Sequence, residues 1–246
     1  MTATIVGLCR HPIKGIGREA LAEVTLAAGQ GLPFDRHWAV AHQAARLAPG
    51  WNACTNFLRG AKAPALMAVE AVLDGDTVTL RHPDRPVLTF RPDDVADLPR
   101  LLDWLQPLLP TGRAAPVSIA QAGRAMTDSA YPSVSVISLA SCRALGEAMG
   151  LPPLDPRRFR GNLVVDGLDP FAEFAWVGQH LQIGDAVLEV VERIERCRAT
   201  SASPATGVID ADTLSALNGH YGHQDFGVFA RVTKGGTIRL GDKVTA

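Results

Sequence analysis

The sequence lacks an excess of charge of either sign. Its 246 residues carry 24 lysines and arginines against 25 aspartates and glutamates, for a net charge of −1. No long run of like charges interrupts this balance, which argues against a nucleic-acid partner. Any site for an anion must therefore be built locally, from a few cations that the fold brings together.

Long hydrophobic runs are also missing. Nowhere do roughly 18 consecutive apolar residues occur, the length at which a membrane-spanning helix becomes the expectation, so we predict no membrane partner. The N-terminal stretch MTATIVGLCRHPIKG has no basic segment ahead of its short apolar run. Because a secretory signal needs both features, we expect a cytoplasmic protein.

Cysteine is scarce. The four cysteines, Cys9, Cys54, Cys142 and Cys197, are widely scattered and form no CxxC pair. Iron–sulfur clusters need closely spaced cysteine ligands, so the chain is not expected to carry a cluster of its own. Reduced thiols are the expectation for a protein without an export signal.

What the sequence does have is many short runs of β type. They cover residues 4–9, 19–26, 37–42, a hairpin at 69–80 turning at Asp74-Gly75, then 162–167, 180–185, 186–194, 226–232 and 237–244, with a hairpin turn at Lys234-Gly235-Gly236. Many short strands separated by turn residues favour a barrel-like, β-rich α+β fold over a parallel α/β sheet. We place a domain junction in the looser stretch at 111–128, which gives domains of residues 1–110 and 111–246.

A few short helices complete the prediction. They run from an N-cap at Asp93 or Asp94 to about Leu105, from an N-cap at Ser138 to Gly150, and over 210–219. In the second helix the apolar residues fall on one face, and Cys142 is among them. Cys142 is therefore predicted to be a core residue.

Two patterns resemble ligand motifs but lack the context that those motifs need. Gly15-Ile16-Gly17-Arg18-Glu19-Ala20 matches GxGxxA, yet the residues after it alternate with period two and predict a strand instead of the required helix. His220 and His223 are three residues apart, but two glycines break the helix and no third metal ligand accompanies them. We therefore predict a glycine turn at the first site and a polar loop at the second.

Basic residues lie near the ends of several predicted strands. Lys14 follows a Pro-Ile pair, Arg36 precedes the strand at 37–42, and Arg157, Arg158 and Arg160 lie just before the strand at 162–167. Any one of them is typical of a solvated surface. Together they suit a phosphate or a similar oxyanion.

Cys197 lies a few residues beyond a predicted strand, between Arg196 and Arg198. Neighbouring cations favour the thiolate, which is both the nucleophilic and the metal-binding form of cysteine. Adjacency in sequence does not establish that either guanidinium group faces the sulfur. These residues alone are equally consistent with a structural role and a functional role for the Cys197 thiol.

Longer motifs carry a resemblance to a known family. HPIKGIGREALAEVTLAAGQGLPFDRHWAV resembles the N-terminal β-barrel domain that precedes MOSC domains, and RRFRGNLVVDG with VERIERCRATSASPATG resembles the MOSC domain itself. That family includes the mitochondrial amidoxime reducing component and molybdenum cofactor sulfurase. The resemblance implies an N-terminal β-barrel-like domain packed on a MOSC β-barrel.

The resemblance also implies a molybdenum cofactor, a molybdopterin that carries Mo, with Cys197 as metal ligand and catalytic residue. Lys14, Arg36, Arg160 and Asn162 match the positions that contact the pterin, and the loop at 128–132 matches one that lines the same pocket. The full set of implied cofactor-binding residues is Lys14, Gly15, Arg36, Asp128, Ser129, Arg158, Arg160, Asn162, Thr200 and Ser201. A soft thiolate for the metal and cations for a phosphate agree with this reading on chemical grounds.

Three functions follow from the resemblance. The first is an oxidoreductase that reduces small N-hydroxylated compounds with electrons from a separate flavin or iron–sulfur protein. The second needs no cofactor and uses a persulfide on Cys197 to carry and transfer sulfur. The third is a non-catalytic carrier of the molybdenum cofactor.

Overall fold

Short strands dominate the chain, as the computed structural model of residues 2–246 describes it. The strands are β1 (Thr2–Arg10), β2 (Ile13–Lys14), β3 (Glu19–Ala20), β4 (Glu23–Leu26), β5 (Trp38–His42), β6 (Glu70–Asp74), β7 (Thr77–His82), β8 (Arg85–Phe90), β9 (Pro116–Gln121), β10 (Val134–Ser138), β11 (Leu163–Asp166), β12 (His180–Ile183), β13 (Ala186–Glu195), β14 (Asp225–Lys234), β15 (Gly236–Arg239) and β16 (Lys243–Thr245). The helices are α1 (Leu98–Leu105), α2 (Leu139–Ala148) and α3 (Thr213–Tyr221). None of the helices in this described part of the chain is long and apolar enough to cross a membrane.

A closed barrel of seven strands forms the larger unit, in the order β11-β10-β14-β13-β12-β16-β1, and pairing of β1 with β11 completes the ring. Alternation along each strand directs one face inward, as in β13, where Ala186, Leu188 and Val190 are fully buried. Among the pairs that form this ring, β10 and β11 alone are parallel, which the crossover through α2 makes possible. This barrel confirms the predicted β-rich fold with few helices.

Strand β1 belongs to this barrel although it comes first along the chain. It pairs with β11 on one side, where Thr4 lies opposite Asp166, and with β16 on the other, where Thr2 lies opposite Thr245. The predicted division of the chain after residue 110 stays a prediction, and the barrel draws one of its strands from the first segment.

Two smaller sheets and α1 enclose a second core. The strands β6, β7 and β8 form a meander, and β5 lies between β2 and β9. Helix α1 follows a short 3-10 turn at Val95–Asp97 whose N-cap, Asp94, accepts a hydrogen bond from the Ala96 backbone N–H. The helix buries Leu101, Trp104 and Leu105 against this second core.

Most of the predicted elements are confirmed. The hairpin turns at Gly75, the first helix ends at Leu105, Ser138 caps α2, and Cys142 is 1% exposed. The predicted strand at 19–26 is divided into β3 and β4.

One predicted hairpin is wrong. Lys234-Gly235-Gly236 does turn the chain, but β15 pairs with β4 and not with β14. Gly236 serves a close approach of the backbone at this point, because a Cβ there would collide with the backbone of Asp185 and Ala186.

Four strands, β2, β8, β9 and β10, have no counterpart in the prediction. Strand β10 shows why, because all five of its residues are buried and no polar face alternates with an apolar one. Its serines suggest a loop, yet Ser135 bonds to Asn162 and Ser138 caps α2. Buried hydrogen bonds to these serines thus take the place of the alternating polar and apolar pattern from which a strand is predicted.

Candidate functional site

Lys14 and Gly15 lie at a sharp turn, as the glycine pattern predicts. Gly15 has φ +72°, and a Cβ there would lie 2.5 Å from the carbonyl oxygen of Leu58. Strand β2 pairs in parallel with β5 and places Lys14, which is only 6% exposed, beside Ala39. The turn thus directs a buried ammonium group inward.

The Lys14 ammonium has two oxygen partners. Its Nζ donates to the Met126 carbonyl at 2.6 Å and to Asp128 Oδ1 at 2.6 Å. Burial raises the pKa of Asp128, but Lys14 outweighs it and lowers that pKa, with further help from Arg36 and Arg160. Four predicted site residues therefore lie close enough to influence one another.

Arg36 connects its neighbour Asp35 to Arg160 and Asn162, which precede β11. Its backbone has φ +47°, a left-handed conformation that is strained in a non-glycine residue. The guanidinium group donates to Asp35, to the Arg160 carbonyl at 2.9 Å and to Asn162 Oδ1 at 3.4 Å. Such strain persists only where surrounding contacts hold it, and here those contacts are at the candidate site.

Asp35 is a part of the site that the sequence prediction missed. It is 1% exposed, and its Oδ1 accepts from the His11 backbone N–H at 2.8 Å. Burial raises the pKa of Asp35, but Arg36 and the His11 hydrogen bond prevail and hold that pKa well below its usual range. Burial also lowers the pKa of His11, so the imidazole stays neutral and the carboxylate charge faces Arg36. Asp35 therefore positions Arg36.

Arg160 and Asn162 lie between the α2 crossover and β11. Arg160 also has φ +47°, and Asn162 is 1% exposed. Asn162 Oδ1 accepts from the Ser135 hydroxyl at 2.8 Å, and its Nδ2 donates to the Cys9 carbonyl at 3.1 Å. The amide therefore joins β10 to β1 beside Arg36, and most of its hydrogen-bonding capacity is used within the protein.

Arg196 was not among the predicted site residues. Its Nε donates to the Phe226 carbonyl at 2.8 Å and its Nη1 to the Phe159 carbonyl at 2.8 Å. Burial lowers the pKa of Arg196 to about 10, while the neighbouring Cys197 acts in the opposite direction. The only signal in the sequence is adjacency to Cys197, which does not reveal that the guanidinium group is fixed between β14 and the short 3-10 helix Pro156–Phe159.

Cys197 is the exposed member of the cluster. It directly precedes a short 3-10 helix, Arg198–Ser201, and its carbonyl accepts from the Thr200 hydroxyl at 3.1 Å. Thr200 is 3% exposed and also contacts Thr213 of α3, Oγ1 to Oγ1, at 2.6 Å. The loop backbone is thus anchored while the thiol faces solvent.

The remaining predicted residues are largely engaged within the protein. Arg158 forms an ion pair with Asp210 at 2.7 Å. The Ser129 hydroxyl donates to the Tyr131 carbonyl at 2.6 Å, and Ser201 is 5% exposed. Arg157 pairs with Asp155 at 2.6 Å. These residues support the loops around the cluster.

The histidine pair lies elsewhere. His220 is in the last turn of α3, and the His223 ring packs in an aromatic cluster with Phe171 and Phe174. His223 Nδ1 accepts from the Asp225 backbone N–H at 3.2 Å. The aromatic packing assigns His223 a structural role beside α3.

Comparison with known proteins agrees with this architecture. A family model for the MOSC domain matches residues 125–245, and one for the MOSC N-terminal β-barrel domain matches residues 2–103. The chain belongs to the MOSC domain family. The candidate cluster draws Lys14 and Arg36 from the N-terminal match and Arg160, Asn162 and Cys197 from the MOSC match.

Curated relatives share parts of this MOSC chain. Mitochondrial amidoxime reducing component 2 of Rattus norvegicus is 35% identical over 98 residues, which cover 35% of this chain and 28% of that protein. Molybdenum cofactor sulfurase of Caenorhabditis elegans is 38% identical over 78 residues, covering 31% of this chain and 11% of that protein. These matches span less than a third of each relative, and they support a function related to the molybdenum cofactor.

Among solved structures, the chain is similar to the YUAD protein from Bacillus subtilis. The TM-score is 0.49 at 14% identity, over 99% of this chain and 94% of that chain.

The unpaired groups of the cluster test whether it suits such a cofactor. Arg160 Nη2 and Arg196 Nη2 are buried and have no hydrogen-bond partner within residues 2–246. Leaving a buried N–H unpaired is costly, and an oxyanion would satisfy both groups. Burial lowers the pKa of Arg160 to about 9, a shift that a nearby anion would counter.

The thiol chemistry fits as well. Within residues 2–246, no group of three or more His, Cys, Asp or Glu side chains could hold a metal ion. A metal chelated by its own organic cofactor needs fewer protein ligands, and thiolate sulfur suits a soft transition metal. The exposed Cys197, in a cluster that also holds the unpaired Nη2 atoms of Arg160 and Arg196, therefore fits a cofactor that bears both a metal and a phosphate.

Proposed function

We propose that this MOSC protein is a molybdenum-cofactor oxidoreductase that reduces small N-hydroxylated compounds. The observation that carries the proposal is a pair of buried guanidinium nitrogens without a partner among residues 2–246, Arg160 Nη2 and Arg196 Nη2, the second of which belongs to the neighbour of the exposed Cys197. The relatives include amidoxime reducing components, which supports the substrate class.

The protein residues divide into three tasks in this proposal. Cys197 binds the molybdenum. The phosphate is bound by Arg36, Arg160 and Arg196. The pterin lies against Lys14 and Asp128. The wider binding set is Lys14, Gly15, Arg36, Asp128, Ser129, Arg158, Arg160, Asn162, Thr200 and Ser201, and we add Arg196 to it because of its unpaired Nη2 atom. When bound, the cofactor supplies two-electron redox chemistry with oxygen-atom transfer.

Orientation is the contribution of the fold. Asp35 fixes the guanidinium group of Arg36, and Asn162 fixes the junction between β1 and β10. Because these side chains are already ordered, little conformational freedom is lost when the cofactor binds. Electrons come from a separate flavin or iron–sulfur protein, since the scattered cysteines leave no cluster motif in the chain.

Metal content tests the proposal directly. The chain is produced in a host that makes the cofactor, and molybdenum, pterin and benzamidoxime reduction with a chemical electron donor are measured. We expect molybdenum in the purified protein, its loss in Cys197→Ala and its retention in Cys54→Ala, because Cys54 lies outside the cluster. Protein without molybdenum, or an unchanged content in Cys197→Ala, would overturn the assignment.

Sulfur transfer is the second candidate. Among the free cysteines Cys197 is the exposed one, and a molybdenum cofactor sulfurase is among the relatives. The Cys197 thiolate would attack the outer sulfur of a desulfurase persulfide, take up that sulfur as its own persulfide and release the donor thiolate. Mass spectrometry after incubation with a cysteine desulfurase should then show one added sulfur on Cys197, and an unmodified residue excludes this function.

Cofactor binding without reduction of any N-hydroxylated compound, and without added sulfur, would favour the third function, a carrier.

A further inference from the structure

A pocket outside the Cys197 cluster joins apolar and cationic residues. It has a volume of about 250 Å³ and is lined by His42, Thr55, Phe57, Leu58, Arg59, Lys62, Ala63, Leu109, Arg113 and Ala114. We call it the Arg113 pocket. None of these residues is in the set proposed to bind the cofactor, so its chemistry is independent of that proposal.

The floor of the pocket is apolar. Phe57 is 2% exposed, Leu58 7% and Ala63 3%, and partly buried Leu109 adds to the same surface. A small apolar group placed there would lose water-exposed area and gain contacts with this surface. The volume is slightly below the range of ordinary ligand pockets, roughly 300 to 1,000 Å³, so it suits nothing larger than a single ring.

The lining carries positive charge only. Arg59, Lys62 and Arg113 contribute cations, and no carboxylate lines the pocket. None of the ion pairs found among residues 2–246 includes any of the three. In a chain with a net charge of −1, three uncompensated cations around one cavity form a local field that attracts an anion.

His42 adds an unpaired polar atom to this lining. Its Nε2 faces the Thr55 carbonyl at 2.8 Å, which assigns a proton to Nε2. Its Nδ1 is buried and has no partner among the described residues. With the proton on Nε2, Nδ1 is an acceptor, so it calls for a hydroxyl or N–H donor on a ligand and not for an oxyanion. The charge of the ligand is therefore set by the three cations alone.

We infer that the Arg113 pocket binds a small molecule with an apolar body and one oxyanion, such as an aryl phosphate or an aryl carboxylate. The ring would lie on Phe57 and Leu58, and the oxyanion would meet Arg59, Lys62 and Arg113.

The position of the pocket gives such a ligand a route to the Cys197 loop. The segment that supplies Arg59 and Lys62 packs on that loop at Gly60, where a Cβ would lie 3.4 Å from the Cβ of Ala199. Leu58 contacts the turn at Gly15 on the other side. A ligand that orders this segment would therefore restrain both neighbours of the proposed cofactor site.

The test is titration of the full chain with phenyl phosphate, inorganic phosphate and benzylamine, followed by amide NMR shifts. We expect saturable shifts at Leu58, Arg59 and Ala114 with phenyl phosphate, weaker shifts with inorganic phosphate and none with benzylamine. The double variant Lys62→Gln/Arg113→Gln should weaken phenyl phosphate binding at least about tenfold, or about 1.4 kcal/mol. The matched control is Lys234→Gln, at an exposed lysine outside the pocket, and it should leave binding unchanged.

A second variant separates the two anion sites. Arg160→Gln removes a proposed cofactor contact, so it should leave phenyl phosphate binding at the Arg113 pocket intact. Loss of that binding in Arg160→Gln with none in Lys62→Gln/Arg113→Gln would overturn the inference, as would equal binding of benzylamine. Neither result bears on whether Cys197 holds molybdenum.

Discussion

Replacement of Asp35 by Asn should lower the free energy of unfolding by more than the corresponding replacement of a surface carboxylate. The Asp35 side chain is fully buried, and that of Arg36 is only 15% exposed. Removing one member of a buried ion pair leaves the other charge uncompensated and costs about 3–5 kcal/mol. The left-handed backbone of Arg36 loses one of the contacts that hold it, which adds to the effect.

Urea unfolding at pH 7 measures this difference, and Glu23→Gln is the matched control. Glu23 pairs with Arg239 at 3.0 Å, but both side chains are more than half exposed, at 60% and 55%. An exposed pair contributes about 0–1 kcal/mol. If Asp35→Asn costs no more than Glu23→Gln, the buried carboxylate does not stabilise Arg36 and its positioning role is wrong.

The pH dependence of the same variant gives an independent check. The pKa of Asp35 lies below its ordinary value of 3.8, so its ionised form stabilises the folded state above that value. This stabilisation is lost as the pH falls below 3.8 toward the lower pKa of the folded state. The difference between wild type and Asp35→Asn should therefore shrink in that range, and a difference that is constant with pH would contradict the assignment.

Three further predictions concern other buried or strained groups. Glu173 is fully buried and burial raises its pKa, so the free energy of unfolding should fall as the pH rises above the ordinary pKa of 4.5. In urea unfolding, Glu173→Gln should reduce this dependence on pH. An unchanged dependence would contradict the role given to Glu173. Gly15→Ala should cost about 1–3 kcal/mol in the same assay, whereas Gly75→Ala should cost less because nothing lies within 4 Å of its Cβ position; equal losses would remove the close approach as the cause. A maleimide should label the exposed Cys197 in the folded protein and Cys142, which is 1% exposed, only in denaturant; equal labelling rates would contradict these burials.

Alternation made much of the barrel predictable. β13 and β14 present one face to the core and one to solvent, and their sequences alternate between apolar and polar residues accordingly. β10 has no such contrast, because both of its faces are covered and its serines bond to groups that are distant in sequence. Pairing of β15 with β4 joins segments that are far apart along the chain, with Thr25 and Thr237 212 positions apart, and no local pattern encodes such a contact.

The candidate site divides in the same way. Lys14, Arg36 and Arg160 stand in motifs, so their proximity was predictable from the family resemblance. Asp35 and Arg196 were not predictable, because their importance arises from burial and from contacts to His11, Phe159 and Phe226 that only the fold creates. A charged residue beside a motif is unremarkable until its solvent exposure is known.

Because β1 pairs with both β11 and β16, the barrel cannot close until the strands near the C-terminal end of the sequence are present. Thr4 and Lys243, whose side chains hydrogen-bond across the β1–β16 pair, are 239 residues apart along the chain. Synthesis must therefore proceed past Lys243 before the last gap in the ring can close. Contacts of such long range slow folding, and until then β1 and its neighbours expose unpaired edges. The barrel is in this sense a product of the completed chain, and a fragment of residues 111–246 would lack the strand that closes it.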